Sequence, residues 1–323
     1  MKLTRRSVLC LTAGAAALST FSPFAHALDY PGRPVRIIVG FPGASGPDIV
    51  ARLLGERLSE RLGQQFTVED RPGAGSSIAA AVVAKAPPDG YMLFMATGAN
   101  TINTTLYPNL SFDFARDLAP VAVINGTPFV LIVSPSFPAK TFPEFISYAK
   151  ANPGKINMAS PGVGTSPHLS IELLRMMTGV ELVHVPYRGS YLTDLMSGQV
   201  EGAFSTVAQA SEYIRAGKVR AIAIGGAARV EVLPDVPTVA EFLPGFNTDG
   251  WFGLVAPKGT PTGIIKKLNV ECNAVVAEPK VKAQLVSLGA PPWSMTPREF
   301  GKLIADYTEK WAKVIKFAGV KPS

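Results

Sequence analysis

The residues best placed to do chemistry in this chain are small and hydroxyl-bearing ones gathered in short loops, rather than clustered acids, bases or metal ligands. The first loop is Phe41-Pro42-Gly43-Ala44-Ser45-Gly46-Pro47-Asp48. Small residues let a backbone approach a ligand closely, and the free N–H groups at a helix start attract a carboxylate. A plain tight turn would use the same residues. The second loop runs Asp70 to Ser77, and the third is Thr97-Gly98-Ala99-Asn100. The fourth, Ser160-Pro161-Gly162-Val163-Gly164-Thr165-Ser166-Pro167-His168, repeats the glycine and hydroxyl pattern. The fifth is His184-Val185-Pro186-Tyr187-Arg188-Gly189-Ser190.

Each polar residue in these loops has two readings. Arg188 presents either a bidentate fork for a carboxylate or a surface guanidinium lying over Tyr187. His168 either packs and caps at a helix start or meets a ligand, and His184, in an apolar strand, reads as a satisfied core histidine. Ser160, Thr165 and Ser166 suit helix capping, which is compatible with donating to an anion at the same place. Asp48 supports the first turn of its helix electrostatically. Trp251 and Phe252 read as core or hinge packing.

Several enzyme classes lack their residues. His168 and His184 lie sixteen positions apart without metal-ligand spacing. There is no G-x-S-x-G elbow and no Walker lysine loop, and Gly162-Val163-Gly164 lacks the rest of a dinucleotide fingerprint. No metal, no cofactor and no catalytic residue is expected; an unrecognised hydrolase is the remote enzymatic alternative. The formal charge of +7 is not concentrated in any long Lys/Arg run, which argues against a nucleic-acid partner.

The elements that must position these loops alternate strand and helix. Val35–Gly40, Phe66–Glu69 and Tyr91–Ala96 read as strands, separated by helices over Asp48–Leu62 and Ser77–Ala86. A second alternation runs from Phe129–Val133 to Ala221–Ile224, through helices near 141–151, 168–177, 192–197 and 208–216. Trp251–Ala256 is a further apolar run, and three helices near 262–277, 279–288 and 297–317 close the chain. This order predicts an α/β protein of two lobes, each a mainly parallel sheet flanked by helices. Residues 28–126 with 256–323 are expected to form lobe one, and 127–255 lobe two, joined by two hinge crossings. The cleft between the lobes, at strand C-terminal ends, is where a ligand is expected.

At 323 residues, 47% hydrophobic and 17% charged, the chain suits about two globular domains. Lys2, Arg5 and Arg6, the apolar Val8–Leu18 and Ala25-His26-Ala27 read as a cleavable signal peptide over residues 1–27, by a Sec or twin-arginine route. Periplasmic export follows from that reading. Cleavage would remove Cys10 and leave Cys272 alone, in a segment whose apolar spacing suggests a buried structural thiol.

Seven segments together carry a resemblance: Phe41–Arg52 (FPGASGPDIVAR), Glu69–Gly75 (EDRPGAG), Pro88–Tyr91 (PDGY), Asn152–Lys155 (NPGK), Val183–Gly189 (VHVPYRG), Leu233–Glu241 (LPDVPTVAE) and Trp251–Pro261 (WFGLVAPKGTP). In order and spacing they resemble the substrate-binding proteins of tripartite tricarboxylate transporters, the Bug-type receptors. The resemblance implies a monomeric periplasmic receptor with a type II binding-protein fold. Such a receptor closes on a small carboxylate and hands it, unchanged, to a two-subunit inner-membrane permease. A receptor of the same fold reporting to a membrane sensor kinase is the alternative. The matching site positions would be the 41–48, 160–168 and 187–190 loops. Two departures stand out. Ser190 and Tyr191 lead straight into Leu192-Thr193-Asp194-Leu195, about two residues short of the family pattern. Ser205, in Phe204-Ser205-Thr206, occupies a position where many members carry Asp. Loss of that acid favours carboxylic acids with an uncharged tail over amino acids.

Overall fold

The computed structural model describes residues 30–107, 109–187 and 189–321. The expected signal peptide and Arg188 lie outside the described residues. The chain begins with β1 (Val35–Val39), α1 (Gly46–Leu62), β2 (Phe66–Asp70), α2 (Ser77–Ala84) and β3 (Met92–Thr97). It continues through α3 (Gly98–Leu106), α4 (Phe114–Asp117), β4 (Leu118–Thr127) and β5 (Phe129–Val133). Next come α5 (Phe142–Ala151), β6 (Ile156–Ser160), α6 (Ser166–Thr178), β7 (Leu182–Pro186) and α7 (Leu192–Ser197). β8 (Gly202–Thr206), α8 (Val207–Arg215), β9 (Arg220–Ile224) and β10 (Gly250–Pro257) follow, and α9 (Thr262–Ala277), α10 (Pro279–Ser287) and α11 (Pro297–Ala318) end the fold.

These elements form two five-stranded sheets, in the orders β2-β1-β3-β10-β4 and β7-β6-β8-β5-β9. The first sheet's β1 runs parallel to β2 and β3, and the second's β6 runs parallel to β7 and β8. The expectation of mainly parallel sheets needs correcting. β10 is antiparallel to β3 and β4, and β5 is antiparallel to β8 and β9, so both sheets are mixed. Parallel pairing needs a helical crossover on the same sheet. β5 and β10 instead enter from the other sheet, through Pro128 and the segment 225–249. The pairing of β10 begins at Gly250, so residues 250–255, expected in the second lobe, sit in the first sheet.

Local sequence explains the helix ends. Gly63 takes the left-handed conformation (φ 68°) that stops α1, and its N–H bonds to Ser59 O at 3.0 Å. Thr296 and Glu299 form a reciprocal capping box that starts α11. The sequence does not announce α3 or α4: Gly98–Leu106 (GANTINTTL) carries only two large apolar residues, Ile102 and Leu106, and Phe114–Asp117 is a single turn. The closing helices return to the first sheet: α9 lies on β4 and α1, and α11 on β4 and α3. α11 also packs on α6 of the second sheet. One apolar cluster therefore runs from Phe94 and Val123 through Trp251, Phe300 and Tyr307 to Leu169 and Phe204. No helix of the described residues is long and apolar enough to cross a membrane.

Candidate functional site

A cavity of about 350 Å³ lies between the two sheets, and residues from both line it. The first sheet contributes Phe41, Pro47 and Gly75, the start of α3 at Thr97, Gly98 and Ala99, and Trp251 and Phe252 of β10. The second contributes the β6–α6 loop from Pro161 through Gly164, Thr165 and Ser166, and Thr206 at the end of β8. Thr127 and Phe129 enter from the crossing between β4 and β5. A neighbouring chamber of about 460 Å³ shares Pro47, Thr127, Thr206 and Phe252, and adds Gly46, Ile49 and Gln209.

Helix starts converge here because α3 and α8 follow directly from the ends of β3 and β8, and α1 and α6 follow β1 and β6 after short loops. At α3, the Asn100 side-chain Oδ1 accepts from Thr97 N–H at 2.8 Å and Asn100 is buried as a cap; Gly98 and Ala99, whose N–H groups have no partner within the helix, line the cavity. At α6, Thr165 Oγ1 donates to Gly162 O at 2.8 Å, and Gly164 N–H donates to His168 Nδ1 at 3.0 Å. At α8, Gln209 N–H donates to Thr206 Oγ1 at 3.2 Å. At α1, Ala44 N–H donates to Asp48 Oδ2 at 2.7 Å.

Behind the loops lie the titratable residues. His168 is buried and stacks on His184 with ring centres 3.8 Å apart. His184 Nε2 and Ser160 Oγ are 2.6 Å apart. Burial, reinforced by His168, pushes the His184 imidazole down to about 4. Glu172, held by Arg175 at 2.7 Å, faces His168. Ser160, Gly162 and His168 thus shape the β6–α6 loop from behind and do not line the cavity. On the other sheet, Arg52 bridges Asp48 (2.7 Å) and Asp70 (3.1 Å). Burial raises the Asp48 carboxyl, but Arg52 and the Ala44 N–H outweigh it and hold the group below the usual range. Asp70 is raised, by burial and by the nearby Asp48.

Of the expected site residues, Phe41, Thr97, Gly98, Gly164, Thr165 and Ser166 meet at the main cavity, and Gly46 reaches the neighbouring chamber. Pro42, Gly43 and Ala44 are exposed at the tip of their loop, while Ser45 has a buried Oγ without a partner. Tyr187 turns away and donates its hydroxyl to Asp194 Oδ2 at 2.7 Å. Gly189 and Ser190 are exposed. Ser205 faces the opposite side of β8 from Thr206, because side chains alternate along a strand. It is fully buried, donates to Gln209 Oε1 at 3.1 Å and sits by the Tyr191 hydroxyl. Sequence reasoning missed Thr127, Phe129, Thr206, Leu106 and Trp251. Their identities are ordinary for strands and helices, and only the sheet registers show that they face the gap.

Among the described residues no Asp, Glu, Lys, Arg or His lines the cavity, and no group of three His, Cys, Asp or Glu could hold a metal. Cys272 is fully buried, and burial pushes its thiol up to about 12, as suits a structural residue. The cavity offers backbone N–H groups, hydroxyls and apolar walls. That set suits holding an anion through helix-end partial charges.

The two mixed sheets and the cavity between them define a solute-binding protein of the type II periplasmic class. Residues 50–320 match the model of the tripartite tricarboxylate transporter family receptor, and the chain belongs to that family, with the Bug-type receptors. A relative from Pseudomonas sp. (strain P51), the UPF0065 protein in the tcbD-tcbE intergenic region, is 38% identical over 317 residues, covering 96% of this chain and 94% of the relative. Among solved structures, R. palustris Rpa4515 with adipate is 36% identical, with a TM-score of 0.78 over 91% of this chain and all of that one. MatC (Rpa3494) from Rhodopseudomonas palustris with bound malate is 33% identical, with a TM-score of 0.74 over 88% of this chain and all of that one.

Proposed function

We propose that this protein captures a small organic carboxylate in the periplasm and delivers it, chemically unchanged, to a two-subunit inner-membrane permease of the tripartite type. The observation that carries this reading is the convergence of helix starts from opposite sheets, α3 and α6, on one cavity that no Asp, Glu, Lys, Arg or His lines among the described residues. Adipate and malate in the related structures support a carboxylate ligand. Neutral donors on both sides bind such an anion best when both reach it together, so the ligand favours the closed pair of sheets and shifts the population toward it. The 127–128 and 225–249 crossings are the bending points we assign, with α11 along the axis. On this reading lobe one comprises the first sheet with the C-terminal helices, and lobe two the second sheet.

Thermal denaturation across mono-, di- and tricarboxylates, aromatic acids and amino acids tests the binding step. A cognate acid at about 100 times its dissociation constant adds about 2.7 kcal/mol of stability. No shift with any acid contradicts the reading. Loss of uptake of that acid on deletion of the protein tests delivery to a permease; unchanged uptake contradicts it.

A further inference from the structure

Trp251 is fully buried, yet its indole N–H has no hydrogen-bond partner among the described residues. The ring itself is held firmly. It meets Phe300 edge-on at 5.1 Å between centres and Tyr307 at 6.4 Å, both on α11. Its Nε1 atom lies 3.7 Å from the point where a Cβ on Gly98 would stand. Gly98 opens α3, and the N–H groups of Gly98 and Ala99 have no partner within the helix. Trp251, Gly98 and Ala99 all line the same cavity. A buried donor left unpaired is costly, and here a partner is supplied when an acceptor occupies the cavity beside the indole.

Phe41, Leu106, Phe129, Val163 and Phe252 give the wall an apolar, largely aromatic part, beside the neutral polar side chains of Asn103, Tyr107, Thr127, Thr165, Ser166 and Thr206. Aromatic walls favour a flat ring, which packs against their faces and edges. A flexible polyacid would set further ionised groups against the same walls, which is unfavourable without paired charges.

We propose that Trp251 is a specificity-determining ligand contact: its indole N–H joins the N–H groups at the start of α3 and the Thr165–Ser166 start of α6 in holding the carboxylate of a ring-bearing acid whose body lies against Phe41, Phe129 and Phe252. This rests on the solute-binding reading above and narrows its substrate class.

Calorimetric titration of the protein with benzoate, adipate and citrate tests it, together with Trp251→Phe and Gly98→Ala. The Cβ of the Gly98→Ala variant meets only ordinary contacts, at 3.7–3.8 Å, and covers the indole N–H without disturbing the helix. Benzoate is expected to bind at least about tenfold more tightly than adipate or citrate. Loss of one hydrogen bond to a charged group should weaken benzoate about ten- to a hundredfold in either variant. The benzoate-induced change in tryptophan fluorescence should vanish in Trp251→Phe and persist in Trp293→Phe. Unaltered benzoate affinity in Gly98→Ala and Trp251→Phe overturns the role of Trp251. Tighter binding of adipate or citrate than of benzoate overturns the ligand class while leaving the solute-binding reading intact. No binding of any acid, from these three or the wider panel, overturns both.

Discussion

Gly164 of the β6–α6 loop and Leu106 of α3 meet across the cavity: a Cβ on Gly164 would lie 2.3 Å from Leu106 Cδ2. Gly164 also has φ +76°, a conformation that costs other residues about 1–2 kcal/mol. Gly164→Ala would push Leu106 into the ligand space only when the sheets are closed. Overpacking of about 1–3 kcal/mol in that state corresponds to an affinity loss of about tenfold or more. Calorimetry on the variant checks this. Wild-type affinity would mean that Leu106 and Gly164 are apart when ligand is bound.

Ser45 caps the start of α1 by position, though its Oγ is buried without a partner. Ser45→Asp keeps a good N-cap residue, so the fold should persist. It adds a negative charge where an acid would approach, and acid affinity should fall by at least about tenfold. Unchanged affinity would remove the 41–48 loop from the site.

Ser205→Asp places an acid in a buried setting. Ser205 is fully buried beside Tyr191, which is itself buried. An uncompensated carboxylate there should cost about 3–5 kcal/mol, read by chemical denaturation. Wild-type stability with gained amino-acid affinity would contradict this placement.

His184 is held neutral, with its folded value near 4 against 6.5 for the free side chain. Between those values the unfolded chain takes up a proton that the folded chain refuses, so this contribution is complete above about pH 6.5 and is lost as pH falls toward 4. His168, Glu172, Arg175 and Ser160 are the groups around it. His184→Gln should lose less stability than the wild type between pH 7 and 4.5 in parallel denaturant titrations. Identical pH profiles would show that His184 is not the group concerned.

Much of this fold is legible in the sequence, because amphipathic spacing and turn residues act locally. The strands from Val35 to Ile224 and the helix α7 (Leu192–Ser197) follow from that local information. Strand direction does not, since it depends on which sheet a segment enters. β10 is the clear case, an apolar run whose pairing with β3 and β4 nothing near Trp251 announces. The site divides in the same way. Glycine and hydroxyl loops marked Gly98 and Thr165, whereas the orientation of Ser205 and the open indole N–H of Trp251 follow from strand register. A short helix such as α3, with Ile102 and Leu106 as its only large apolar residues and held by its cap and by packing on α11, is hard to tell from a loop in sequence.

The account stands on one anion being held from both sheets at once, and hydrogen exchange of the backbone amides with and without a bound carboxylate tests this most directly. Amides at Gly98 and Ala99 on the first sheet's side, and at Thr165 and Ser166 on the second's, should slow together when ligand saturates the protein. Protection confined to one side, or absent from both while the acid is bound, would contradict it.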